Sequence, residues 1–164
     1  MNEKTKLDLK EAFAGESQAN RKYLAFAAKA EAEGNKNAAK MFRAAAEAET
    51  IHALAHFKAL DGVRSTKENL AEGVRGETEE FTSMYPPMLA NAEAHGEKAA
   101  ARSFSYAMQA EKVHAELYAK LLAEYDSPKE YTFYLCSVCG NIELALPDKC
   151  AICGVGPKLF KIVE

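Results

Sequence analysis

The spacing of apolar residues predicts a mostly helical chain. From residue 6 to residue 125, apolar side chains recur every three or four positions, which places them on one side of an α-helix. The segments GNKN at 34–37, ALDGVRST at 59–66 and AHGE at 94–97 interrupt this pattern with glycines and polar residues that end helices. Four helices are therefore predicted, at 6–33, 37–60, 67–94 and 97–125.

The pattern changes after residue 125. A short polar linker, DSPKE, is followed by the β-favouring runs YTFYL and KLFKIV and by turns that contain glycine and proline. This tail is too short to bury a core of its own, so we expect a bound metal to stabilise it. The predicted fold class is mainly α, with a four-helix domain at 1–126 and a small metal-bound β module at 131–164.

Composition narrows the class of protein. The net charge is −3, so the chain lacks the basic footprint of a nucleic-acid-binding protein. No apolar run approaches the ~20 residues that span a membrane. The first residues, MNEKTKLDLKEAF, lack the apolar region of a secretory signal. We therefore expect a cytoplasmic protein that binds neither nucleic acid nor membrane.

One hexapeptide occurs twice in the predicted helices. AETIHA at 48–53 returns 62 positions later as AEKVHA at 110–115, and Phe42 and Phe104 keep the same spacing. Each copy places a glutamate and a histidine three positions apart, which is one face of a helix. The repeat indicates that the two halves of the helical region have equivalent structures.

The third predicted helix contains two irregularities. GES at 15–17 matches GET at 76–78 with a shift of 61, whereas Tyr23 and Tyr85 are 62 apart. One residue has therefore been added before Tyr85, and helices often absorb such a residue as a π-bulge. Pro86 and the proline after it lack a backbone N–H, so we also expect them to kink the third helix or to end its first half.

Carboxylates lie on the apolar face of every predicted helix. A glutamate is usually solvated, but a buried, unpaired carboxylate is costly and would take up a proton. A glutamate from each of two helices, with Glu-x-x-His from each of the other two, is the di-metal arrangement of ferritin-like bundles. Such donors suit iron or manganese. The predicted ligands are Glu16, Glu49, His52, Glu77, Glu80, Glu111 and His114.

The four cysteines form two pairs in the tail. Cys136 and Cys139 make one Cys-x-x-Cys-Gly turn, and Cys150 and Cys153 make a second. Confinement to one short segment indicates a metal site rather than disulfides. Spacing alone fits zinc and iron equally. A di-metal site nearby favours iron, because an iron centre can deliver electrons to it.

These motifs together resemble the rubrerythrin family, and the resemblance covers nearly all of the chain. It rests on AFAGESQANRKY at 12–23, AETIH, GETEEFTSMYP at 76–86, AEKVH and the paired CSVCG and CAICG. The resemblance implies a ferritin-like four-helix bundle with two non-haem irons, followed by a rubredoxin-like module with one iron on four cysteines. It also implies a peroxidase that reduces hydrogen peroxide to water and protects against oxidative stress.

The resemblance further implies a role for each matching residue. It implies bridging carboxylates (Glu49 and Glu111), terminal carboxylates (Glu16 and Glu77), a fixed histidine (His114), alternative ligands of the first iron (Glu80 and His52) and nearby hydroxyls (Tyr23 and Tyr85). In the family, the first iron binds the glutamate when oxidised and the histidine when reduced. Two departures stand out: the repeat partner of Glu80 is Ala19, and Ala151 replaces a usual proline.

Two other functions fit the same residues. The bundle could oxidise and store iron as a ferroxidase, or the chain could act as a peroxide sensor. The resemblance implies an external electron donor, such as rubredoxin or a flavin reductase, and a homodimer or higher homo-oligomer. The short linker around Pro128 suggests that electrons pass between subunits, from the tail of one chain to the bundle of another.

Overall fold

The computed structural model describes residues 1–127 and 129–163 and confirms the mainly α fold class. The helices are α1 (Glu3–Ala32), α2 (Lys36–Ala59), α3 (Thr66–Glu79), a π segment (Glu80–Met84), α4 (Tyr85–Ala94) and α5 (Lys98–Ala123). Their bounds lie within a few residues of the predicted ones. None of the helices in the described ranges is long and apolar enough to cross a membrane.

The chain divides into two compact units, Met1–Arg64 and Ser65–Glu164. The first unit contains α1 and α2, and the second contains the remaining helices and the small sheet. This division lies inside the helical domain predicted at 1–126. The two predicted domains, which separate helices from sheet, therefore stay a prediction.

The first unit is a helical hairpin with an alanine-lined contact. Asn35 caps α2 by accepting a hydrogen bond from the backbone N–H of Ala38, at 3.1 Å. The buried residues are Ala27, Ala30, Ala39, Ala46 and Ala53. Small side chains at these positions allow the two helices to approach closely. Asn20 reinforces the contact by donating to the Ala46 carbonyl at 2.7 Å.

In the second unit, the predicted irregularity is a π segment. The N–H of Tyr85 donates to the carbonyl of Glu80, five residues earlier, as in a π-helix. The next two residues, Pro86 and Pro87, have no N–H to continue the pattern, and they occupy the first turn of α4, where helices tolerate proline. The predicted bulge is therefore confirmed, and α3 and α4 are separated at the expected place.

The tail forms a three-stranded antiparallel sheet. Its strands are β1 (Phe133–Cys136), β2 (Ile142–Glu143) and β3 (Phe160–Val163), in the order β2-β1-β3. Gly140 and Gly154 follow the second cysteine of each pair, with φ of 81° and 75°, a conformation that favours glycine. The two turns bring all four cysteines to one end of the sheet.

Candidate metal centres

Three predicted ligands come together in the first unit. Glu16 projects from α1, and Glu49 and His52 project from α2, with all donor atoms within 4.8 Å of one another. His52 Nδ1 lies 2.9 Å from Glu49 Oε2 and 3.9 Å from Glu16 Oε1. The i,i+3 spacing places Glu49 and His52 on one helical face. The His52 side chain is 54% exposed.

The second unit contains an equivalent group. Glu77 projects from α3, and Glu111 and His114 project from α5. His114 Nδ1 lies 2.7 Å from Glu111 Oε2 and 4.0 Å from Glu77 Oε1. Here the histidine side chain is only 16% exposed. The repeated hexapeptide therefore produces two groups of three donors with matching chemistry, one in each unit.

The hydrogen bonds of His114 fit a metal ion bound at its Nδ1 atom. His114 Nε2 lies 2.9 Å from the backbone carbonyl of Gly140, and a carbonyl can only accept, so Nε2 carries the proton. Without a metal, Nδ1 also shares a proton with Glu111, and a metal ion that displaces this proton would meet the Nδ1 lone pair. Metal-binding histidines commonly donate their other N–H in this way. A cation beside Nδ1 would occupy the centre of the negative charge.

The pKa shifts in the second unit indicate a site in which His114 compensates only part of the negative charge of the carboxylates. Burial and the charge of Glu111 raise the pKa of Glu77 to about 7. Burial and Glu111 also raise the pKa of Glu80. The hydroxyl of Tyr85 lies in the same environment. Its pKa is raised mainly by burial and, to a smaller extent, by the charges of Glu111 and Glu80. A bound cation would stabilise all of the carboxylates.

Two of the predicted site residues, Glu80 and Tyr23, do not belong to the described groups of metal-binding donors. Glu80 interacts electrostatically with Glu111, but it does not belong to the described group of donors within 4.8 Å. Tyr23 packs in the first unit against Phe26 and Phe42, with ring-centroid distances of 6.4 Å and 6.2 Å. The predicted roles of Glu80 and Tyr23 stay predictions.

The four cysteines form a third group of donors. All four thiols are free, and their sulfurs lie within 4.8 Å of one another. Cys136 Sγ is 3.6 Å from Cys153 Sγ, and Cys139 Sγ is 3.5 Å from Cys150 Sγ. A tetrahedral ion with metal–sulfur bonds of about 2.3 Å requires sulfurs about 3.8 Å apart. The site therefore fits a tetrahedral metal ion after a small expansion.

The structure also shows a contact that the sequence does not reveal. The Gly140 carbonyl, next to Cys139, accepts the hydrogen bond from His114 of the same chain. The expectation that electrons pass from the tail of one chain to the bundle of another stays a prediction. A backbone carbonyl has no signature in a sequence, so no pattern could have identified it. Pro128, on which that expectation depended, lies outside the described residues.

These sites define the class of protein. Two carboxylate–imidazole groups on helices, with a four-thiolate module against one of them, are the donor sets of an iron-binding oxidoreductase.

Comparison with known proteins identifies the family. The rubrerythrin family model matches residues 8–122, and the chain belongs to the rubrerythrin family. It is 34% identical to rubrerythrin-2 of Clostridium acetobutylicum, covering 93% of each chain. It is 35% identical to nigerythrin of Nitratidesulfovibrio vulgaris, covering 89% of this chain and 80% of that protein. A solved structure of nigerythrin in a mixed-valence state aligns with a TM-score of 0.59 over 97% of this chain and 86% of that chain, at 34% identity.

Proposed function

We propose that this protein is a peroxidase that reduces hydrogen peroxide to water. Each molecule of peroxide takes up two electrons and two protons and yields two molecules of water. Two irons bound by the carboxylate–imidazole groups would supply the electrons, and a third iron on the four cysteines would replenish them. The observation that carries this proposal is the hydrogen bond between His114 and Gly140.

That hydrogen bond provides a short route between two groups of ligands. Gly140 follows Cys139 directly in the chain, and its carbonyl oxygen lies 2.9 Å from Nε2 of His114. One peptide unit, one hydrogen bond and one imidazole ring thus connect a cysteine ligand with Nδ1 of His114. An iron store would have no need of such a connection, so this contact favours the peroxidase over the ferroxidase.

The proposed ligands are those that the resemblance implies. The seven residues Glu16, Glu49, His52, Glu77, Glu80, Glu111 and His114 would bind two irons, and the four cysteines would bind the third. Support for changes in oxidation state comes from nigerythrin, which has been solved in mixed-valence and all-ferrous states. The Tyr85 hydroxyl, whose pKa of 10 is raised further by burial, is protonated at neutral pH and could donate a hydrogen bond to peroxide.

We also propose a cytoplasmic homodimer or higher homo-oligomer that accepts electrons from rubredoxin or a flavin reductase. The free thiols of the tail fit a reducing compartment. Large apolar side chains on α1 and α2 are exposed, including Phe26, Met41, Ile51 and Leu54. Exposed apolar groups of this size support a subunit interface.

Metal analysis combined with single-turnover kinetics tests the proposed function. The protein should contain three irons per chain, and its reduced form should consume peroxide without building a ferric mineral. Substituting His114→Ala should slow re-reduction strongly, whereas His95→Ala should not, because the described hydrogen bond of the His95 ring is with the nearby Asn91 carbonyl. Accumulation of a mineral core would support the ferroxidase instead. Peroxide oxidation without steady turnover would support the sensor.

A further inference from the structure

The two cysteine turns of the module have matching backbones. In both turns the glycine N–H donates to the carbonyl of the first cysteine, at 3.0 Å and 2.9 Å. The N–H of that first cysteine donates, at 2.8 Å in both turns, to the residue that follows the glycine. These equivalent residues are Asn141 and Val155. Each also directs its own backbone N–H at the sulfur of the preceding cysteine, Cys139 or Cys153.

The side chains at these two equivalent positions differ. Asn141 is 1% exposed, and its Nδ2 lies 2.8 Å from Glu143 Oε1 and 3.8 Å from Cys150 Sγ. The two hydrogens of the amide can therefore bond to a carboxylate and to a sulfur at once. Val155 has no polar atom in its side chain. One of the four sulfurs thus faces an additional N–H donor that the matching turn lacks.

The orientation of this amide follows from its partners. The Glu143 carboxylate accepts hydrogen bonds, so the nitrogen of Asn141 rather than its oxygen must face it. Asn141 Oδ1 consequently has no donor among the residues that the structure describes. A buried acceptor without a partner reduces stability. Stability alone therefore does not explain an asparagine at this position.

We propose that Asn141 raises the reduction potential of the iron bound by the four cysteines, by donating a hydrogen bond to Cys150. Reduction adds a negative charge to the iron–thiolate group, and an N–H donor stabilises the more negative form. The 3.8 Å separation seen with free thiols should shorten when the sulfur carries thiolate charge. Glu143 holds the amide in place, and its own negative charge acts in the opposite direction. This inference rests on the proposed iron in the four-cysteine site.

Spectroelectrochemistry of the full-length, iron-loaded protein tests the inference. Asn141→Val makes the two turns alike, and it should shift the electron-transfer equilibrium about tenfold towards the oxidised iron, or roughly 59 mV for one electron. Val155→Leu is the matched control at the equivalent position and should change the potential far less. Glu143→Gln should raise the potential, because it removes a charge and keeps an oxygen that can hold the amide.

The outcomes separate this inference from the proposed function. A parent protein with zinc and no reversible couple would overturn both. A parent with a reversible couple, and an Asn141→Val variant with the same potential, would overturn only the role of Asn141. If Asn141→Val fails to retain iron, the Glu143→Gln potential decides: a rise supports the electrostatic role, and an unchanged value refutes it.

Discussion

The metal-free protein should lose stability as the pH rises from about 4.5 to about 7. Glu77 is responsible, since burial and the charge of Glu111 raise its pKa from 4.5 to about 7 in the folded state. Between these values the folded carboxyl is protonated while the unfolded one is ionised. The folded state then binds more protons, so the free energy of unfolding falls as the pH increases. Above about 7 this contribution is lost.

The size of the effect follows from the pKa difference. The shift from 4.5 to about 7 corresponds to at most ~3.4 kcal/mol, at 1.36 kcal/mol per pKa unit. The Glu77 side chain is 22% exposed, and water screens part of this interaction, so we expect about 1–2 kcal/mol. His114 acts in the same direction at higher pH. Its hydrogen bond with Glu111 raises its pKa above 6.5, and its contribution is lost as the pH rises through the raised value.

Urea unfolding at pH 5 and pH 7.5, in the presence of a chelator, measures this dependence. Glu77→Gln should remove most of it, whereas Glu79→Gln, an exposed neighbour in the same helix, should leave it unchanged. Adding a divalent metal should reverse the slope, because metal binding requires deprotonated ligands. If Glu77→Gln keeps the full pH dependence of the parent, the assignment of the buried proton to Glu77 is wrong.

Two further predictions concern the module. Cys139→Ser removes one of the four thiolates, so metal analysis should show that the four-cysteine site has lost iron. The reduced iron site in the helices should still react once with peroxide, but steady turnover should collapse. Tyr131→Phe removes the hydroxyl that donates a hydrogen bond to Glu124. The Tyr131 ring also contacts two lysines: the Nζ atoms of Lys120 and Lys129 lie 5.3 Å and 4.7 Å from the ring centroid. Amide exchange in the sheet should accelerate in this variant and not in Tyr125→Phe; equal exchange rates would contradict a role for this contact.

Local patterns in the sequence predicted most of the fold. Apolar periodicity and the glycine-containing breaks locate the helices, because both reflect backbone requirements that act within a few residues. Comparison of the two halves of the helical region located the π segment to within a few residues. The spacing between matching residues is 61 positions before Glu80 and 62 positions at Tyr85. The Glu-x-x-His spacing likewise predicted that Glu111 and His114 would share a face.

Contacts between distant segments could not be predicted in this way. The bond from His114 to Gly140 joins residues 26 positions apart and uses a backbone oxygen that every residue possesses. The buried amide of Asn141 is equally hidden, because asparagine after a turn ordinarily indicates a solvated loop. The division into compact units after Arg64 also depends on packing, which periodicity within single helices does not determine.

The π segment offers a test of how the extra residue positions the site. Ser83 is exposed, and deleting it would remove the extra residue, so that this segment could form a regular α-helix. Each helical residue turns the chain by about 100°, so the deletion would rotate Glu77 and Glu80 relative to Tyr85 by that angle.

The rotation would take Glu77 or Tyr85 away from Glu111, because the charge of Glu111 now raises the pKa of both side chains. We expect the deletion to retain the helical circular dichroism and to weaken metal binding at the second group by roughly tenfold or more, a loss comparable to that of a supporting contact. Ser83→Ala, which keeps the chain length, should bind metal as the parent does. Metal titration followed by circular dichroism distinguishes these outcomes. Parent-like affinity in the deletion variant would show that α3 can move as a whole to restore the ligands, and that the π segment does not determine where Glu77 lies.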